Sequence, residues 1–258
     1  MAQGPRASRS YLDSPVPRVF AHRGLAIDAP ENTLLAFARA VAIGVQYVET
    51  DVHASHDGVA VISHDPTLER VAGRKVRVSQ LTMPELRKVD LGHGQGFPSL
   101  AEALDAFPET KFNIDVKSRD AVPGTIAAIT KAGAHDRVLV SSFDERRRAL
   151  ALRGLPGVVS SASARRFVLA LLAGKVGFSP ALRGSLRGLV AVQVPEKALG
   201  LKVTTARMLR ALRAAGVEMH VWTVNDPARM AALLDLGVDG IVTDRADLAL
   251  EVVRHRAS

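Results

Sequence analysis

Cysteine is absent from the 258 residues, which excludes disulfides, thiolate metal sites and a cysteine nucleophile. Aromatic residues make up only 4% of the chain, with one tryptophan and two tyrosines. The core must therefore be built from aliphatic side chains. Rings for stacking on nucleic-acid bases are nearly missing. No stretch approaches the roughly 20 apolar residues that span a bilayer. The nearest, Phe167–Gly174, stops at Lys175. Residues 1–17 lack the apolar centre of a secretory signal. They read as a flexible N-terminal tail before one domain over residues 18–258, and the expected location is cytoplasmic. Acids are outnumbered, with 26 against 34 Lys and Arg, giving a net charge of +8. That balance suits phosphorylated substrates or anionic lipid surfaces. With so few aromatics, no nucleic-acid partner is expected.

What is present is an alternation. Short β-branched runs read as strands at Arg18–Ala21, Tyr47–Val52, Lys111–Val116, Arg137–Ser141, Val158–Ser161, Leu189–Val194, Glu218–Val224 and Gly240–Thr243. A ribbon turning at Asp57-Gly58 lies beside the second. Helical periodicity fills the gaps at Thr33–Ile43, Leu100–Phe107, Gly124–Ala132, Glu145–Arg153, Ala164–Leu172, Ala206–Ala215, Pro227–Leu236 and Ala246–Val253. Eight strands each followed by a helix predict an α/β fold, the (β/α)8 TIM barrel. The irregular stretch Leu68–Phe97 reads as a short insertion after the second strand region, packed over the active-site end.

Active sites of such barrels sit at the C-terminal ends of the strands. The polar residues of this chain fall there. His22 ends the first strand. Glu49 and Asp51 share one face of the second, two residues apart. His64 follows the ribbon, and Asp115 and Lys117 end the next strand. Three carboxylates in one mouth repel one another unless a cation joins them. An oxygen-rich, cysteine-free set suits Mg²⁺ or Ca²⁺. Glu49, Asp51 and Asp115 are thus the candidate metal ligands. His22 and His64 are candidate proton shuttles. Arg23 offers a planar fork for phosphate oxygens and Lys117 a point charge. Gly24 permits close backbone approach to a ligand. Trp222 is a candidate apolar wall for the alcohol portion of a substrate. Asn32 and Thr33 read as helix caps, and His220 as a core histidine. The segment Ala164–Arg187 mixes cations with apolar residues, which suits a barrel helix or peripheral contact with an anionic membrane. Nothing in the sequence fixes an oligomeric state.

These fragments form an ordered set: AHRG at 21–24, PENT at 30–33, ETDV at 49–52, SHDGVAVISHDPTLER at 55–70, PSLAEAL at 98–104, NIDVK at 113–117, SSF at 141–143, WTVN at 222–225 and GVDGIVTD at 237–244. The set resembles the glycerophosphodiester phosphodiesterase family from Val19 to about Asp247. The resemblance implies a metal-dependent (β/α)8 hydrolase that releases glycerol 3-phosphate and an alcohol. It implies that Glu49, Asp51 and the acid at 115 hold the metal. It further implies that His22 and His64 act as acid and base, with Arg23 and Lys117 on the phosphate. The attacking group proposed for the family is the substrate's own 2-hydroxyl. Asp115 stands where the family pattern carries glutamate, one methylene longer. The related alternatives are a lysophospholipase D-type enzyme acting on a lysophospholipid, and a non-catalytic barrel binding phosphorylated ligands.

Overall fold

β-Branched and aliphatic runs, bounded by turn residues, become strands that the helices then cover on the outside. The computed structural model describes residues 11–257. β1 (Arg18–His22) leads to α1 (Leu34–Ala42), and β2 (Tyr47–Ala54) folds back as the antiparallel β3 (Ala60–Ile62). Next come α2 (Leu100–Ala106), β4 (Lys111–Val116), α3 (Ala121–Lys131), β5 (Val138–Ser141), α4 (Glu145–Arg153) and β6 (Val159–Ser160). A helical pair, α5 (Ala164–Val176) and α6 (Ser179–Leu186), precedes β7 (Ala191–Val194). A small hairpin of β8 (Lys197–Ala198) and β9 (Leu201–Lys202) precedes α7 (Ala206–Ala214). The chain ends with β10 (Glu218–Val221), α8 (Pro227–Asp235), β11 (Gly240–Thr243) and α9 (Ala246–Ala257).

β1, β2, β4, β5 and β6 pair in that order, each parallel to the next, and β7, β10, β11 and β1 do the same. A single parallel bridge, Ser161 to Ala191, joins β6 to β7 and nearly closes the ring. This is the expected (β/α)8 barrel. Thr33, Ser99, Asp144, Ser163, Thr205 and Asp226 each cap a helix by accepting an N–H of its first turn. These caps follow strand ends, so the helix N-termini gather at the mouth.

The main core lies between strands and helices and is mostly aliphatic, with Phe37 and Phe112 as its fully buried rings. Burying a residue such as Ile114 contributes about 1.5–3 kcal/mol. Both tyrosines go to the lumen floor, where Tyr11 and Tyr47 pack with Phe20, Leu139, Val159 and Val242. Tyr11 is fully buried and its carbonyl accepts the Tyr47 hydroxyl. The Arg18 guanidinium donates to the carbonyls of Leu12 and Ser14. The segment from Tyr11 to Pro17 is therefore docked against the barrel floor rather than a free tail. Residues 1–10 lie outside the described residues.

The insertion Leu68–Phe97 is more regular than its sequence pattern. It holds helical turns at Glu69–Ala72, Val78–Gln80 and Met83–Arg87 around its own small core of Leu68, Val78, Met83, Leu86, Val89 and Phe97. Each turn is too short to show helical periodicity. α6 and the β8–β9 hairpin were likewise hidden, and α5 runs on past Leu172 to Val176. Among the described residues no helix is long and apolar enough to cross a membrane.

Candidate active site

Register places the acids. β2 and β4 pair with Glu49 opposite Asn113 and Asp51 opposite Asp115. All four side chains line a cavity of about 420 Å³ at the mouth, together with His22, Arg23, His64, Lys117 and Trp222. Every side chain expected from the sequence to act in the site is thus gathered there, while Gly24 is not among the lining residues.

Each histidine is held by a carboxylate at Nδ1. His22 Nδ1 lies 2.6 Å from Asp244 Oδ1, and His64 Nδ1 lies 2.8 Å from Asp65 Oδ1. With Nδ1–H donating, Nε2 of each ring is the basic nitrogen left to the cavity. Asn225 donates to Asp244 Oδ2 at 2.8 Å and accepts the Asp244 N–H, fixing that carboxylate in turn. Burial pulls the His22 pKa down, but Asp244 and Glu49 outweigh it and hold the imidazole above its ordinary value. His53, on β2, bonds through Nε2 to the His64 carbonyl at 3.2 Å, and burial lowers its pKa.

Lys117 Nζ sits 2.8 Å from Asp51 Oδ1 and 2.7 Å from Asp115 Oδ2. Burial opposes its charge, yet these two carboxylates raise the ammonium above the usual lysine value. Asp51 is held low for the reciprocal reason: burial would raise it, but Lys117 and Arg23 prevail. Arg23 Nε is 3.2 Å from Asp51 Oδ2, and its Nη1 donates to Glu31 at 3.0 Å. Arg70, from the insertion, donates to Glu31 at 2.6 Å and to Asp65 at 2.5 Å. One guanidinium therefore links the Arg23 side of the mouth to the His64 side.

Glu49 is the misfit in this balance. Burial and the neighbouring Asp51 push its carboxyl up to about 8. Asp115 Oδ1 is buried without a hydrogen-bond partner. Among the described residues no three acid or histidine side chains converge as a metal-holding group, because Lys117 stands between Asp51 and Asp115. The donor chemistry nonetheless fits a hard cation: all oxygen, one orphaned oxygen, and one carboxyl that a positive charge would ionise.

Local backbone supports the arrangement. Arg23 and Asn32 adopt positive φ of 56° and 57°, which side chains other than glycine seldom do. Gly24 has φ of 84°, and a Cβ there would lie 2.8 Å from Ala36 of α1. Its freedom serves close contact with that helix. Thr33 caps α1 as expected, whereas Asn32 donates to Asp51 Oδ2 at 3.1 Å and accepts from Thr50 at 2.8 Å. His220 is the core histidine the sequence suggests, buried against Phe20 and bonded to Glu218.

One wall of the cavity is apolar. Trp222 meets Phe143 edge to face at 6.1 Å, and Phe167, Val168, Pro195 and Leu199 continue the surface. Sequence reasoning missed Asp244, Asp65, Arg70 and Phe143 as site residues. All four lie inside the quoted fragments, but only folding shows what they touch.

A parallel barrel that faces two carboxylate-held histidines, two half-buried cations and three acids into one mouth defines a class, the barrel enzymes that cleave phosphate esters. The chain belongs to the glycerophosphoryl diester phosphodiesterase family, whose model matches residues 22–248. It is 42% identical, over 99% of its length and 98% of the relative's, to the probable glycerophosphodiester phosphodiesterase 2 of Mycobacterium tuberculosis. Among solved structures, a glycerophosphodiester phosphodiesterase from Thermotoga maritima superposes with a TM-score of 0.73 at 28% identity, covering 91% of this chain and 97% of that one. An Oleispira antarctica phosphodiesterase in complex with the product sn-glycerol-3-phosphate superposes at 0.77 with 22% identity, covering 93% and 97%.

Proposed function

We propose that the chain hydrolyses glycerophosphodiesters to glycerol 3-phosphate and an alcohol by acid–base catalysis at His22 and His64, with a divalent ion held by Glu49, Asp51 and Asp115. The observation that carries this reading is the pair of rings, each fixed at Nδ1 by its own carboxylate with Nε2 left to the same cavity. One Nε2 accepts the proton of the attacking hydroxyl, and the other donates a proton to the departing alkoxide; where that hydroxyl is the substrate's own 2-OH, water then opens the cyclic phosphate to glycerol 3-phosphate with the two roles reversed. The two Nδ1–carboxylate bonds keep the rings in the required tautomer. Arg23 and Lys117 bind the phosphate oxygens, and their pairing with Glu31, Asp51 and Asp115 holds them in place beforehand. The ion, either Mg²⁺ or Ca²⁺, supplies Lewis-acid stabilisation of charge on the phosphoryl group when bound. Trp222 covers the alcohol.

The apolar wall of Phe143, Phe167, Val168, Leu199 and Trp222 favours a second reading, a lysophospholipase D-type enzyme whose substrate lays an acyl chain there. Turnover of glycerophosphocholine and of lysophosphatidylcholine, followed as choline release, separates the two. Preference for the first supports the main reading and preference for the second supports the alternative. Turnover of neither, with either metal added, contradicts both.

A further inference from the structure

Charge is distributed unevenly along this chain. Residues 146–217 hold 14 of its 34 Lys and Arg but only one of its 26 acids, Glu196, which leaves 20 basic and 25 acidic residues elsewhere. The one acid is consumed by an ion pair with Arg229. This basic segment runs from α4, which holds four of the cations, through β6, the α5–α6 pair, β7 and the β8–β9 hairpin to α7.

Within it, α5 departs from the pattern of a barrel helix. Its inner face buries Phe167, Ala170, Leu171 and Ala173. A helix on a water-exposed surface then carries polar residues outside, as α7 does with Arg207 and Arg210. The outer face of α5 instead presents Leu169, Leu172 and Val176, spaced three and four apart on one stripe, and Val176 is 78% exposed. Phe178, in the turn that follows, is 58% exposed, and Leu199 at the hairpin tip is 68% exposed. Arg165 and Lys175 are exposed on the same helix, and Lys197 and Lys202 flank the hairpin tip.

The position of this apolar ridge follows from contacts. Ala164 and Val168 of α5 line the cavity, as does Leu199. At the far end, Gly177 lies against the Arg207 guanidinium in the first turn of α7. The first turn of α7 is on the mouth side of the barrel, so the ridge stays beside the cavity entrance instead of descending the wall.

We propose that α5, the turn at Phe178 and the β8–β9 tip form a docking surface for an anionic lipid bilayer, with the active-site mouth facing the membrane. Apolar side chains ringed by cations and free of acids match the interface of such a bilayer, where hydrocarbon lies beneath negative headgroups. An isologous contact with a second copy of this chain would set this basic face against itself. This surface does not depend on which diester the enzyme cleaves.

The test is co-sedimentation of the full-length protein with vesicles of phosphatidylcholine alone and of phosphatidylcholine with phosphatidylglycerol. Binding is expected to the anionic vesicles, weakening as salt is added. Leu172→Glu with Val176→Glu should lower partitioning roughly tenfold or more, the loss for withdrawing two aliphatic side chains from hydrocarbon. Lys175→Glu with Lys202→Glu should weaken binding to anionic vesicles only. Both variants alter exposed residues outside the cavity lining, so circular dichroism and melting temperature should match the parent. Equal binding by parent and variants, or no binding of the parent to anionic vesicles, overturns the proposal. So does dimerisation through this face, seen as a parent dimer and a monomeric Leu172→Glu, Val176→Glu variant in sedimentation velocity.

Discussion

His22 and Asp244 stand 222 positions apart and meet at 2.6 Å. The carboxylate does two things for the ring: it fixes the Nδ1–H tautomer and turns Nε2 to the cavity. Asp244→Asn keeps the shape but can present an amide N–H to Nδ1, which favours the wrong tautomer. It is expected to lower kcat by about 10²-fold with little change in KM, while His22→Ala and His64→Ala each lose about 10²–10⁴-fold. An Asp244→Asn enzyme with parental kcat would show that the pairing is incidental. At this scale the sequence was informative about identity and silent about partnership. His22, Glu49, Asp51, His64, Asp115 and Lys117 could be singled out because strand ends and strand faces follow from local pattern. Asp65 lies next to His64, yet Asp57 lies equally close to His56, and adjacency alone does not separate the two. The dual grip of Arg70 on Glu31 and Asp65 depends on the fold of the insertion, which no local pattern displays.

Strands and helices carry a different kind of constraint. β1 and β10 begin with a buried Arg18 and a half-buried Glu218, which form an ion pair at 2.8 Å on the floor side of the barrel. Burial would raise the Glu218 carboxyl, but bonds from Arg18 and His220 bring it from 4.5 down to about 2. A folded-state pKa below the unfolded one stabilises the protein above the unfolded value, and that stability is lost as pH falls through the folded value. The contribution of Glu218 should therefore be complete above pH 4.5 and fade toward about pH 2. Glu218→Gln is expected to cost about 3 kcal/mol at neutral pH, since it strands a buried guanidinium. The gap between parent and variant urea midpoints should narrow as the pH is lowered across that window. A gap that is constant with pH would contradict the assignment. Most element boundaries were readable because caps and β-branched runs mark them, as at Glu145–Arg153 and Lys111–Val116, where expectation and structure coincide. α6 escaped because Pro180 and Gly184 interrupt its pattern, and the β8–β9 hairpin because two-residue strands have no periodicity.

For the molecule as a whole, the barrel divides its lumen by height. Tyr11, Phe20, Tyr47, Leu139, Val159 and Val242 fill the floor, and the acids, histidines and cations fill the mouth. That separation concentrates charge where water and substrate enter and keeps the dry end closed. Eight strand–helix alternations announced the barrel, and the polar strand ends announced its working face. The docking of Tyr11 against the floor was not legible, because a lone aromatic in a polar segment has no local signature. One imbalance remains at the mouth: a Glu49 pushed up to about 8 and an unpartnered Asp115 oxygen, both of which a divalent ion would relieve. The most direct measurement is release of glycerol 3-phosphate from glycerophosphocholine by the purified chain, before EDTA treatment, after it, and after return of Mg²⁺ or Ca²⁺. Release that stops with EDTA and recovers with one of the two ions is the predicted result. Release undiminished by EDTA, or none under any of these conditions, would contradict it.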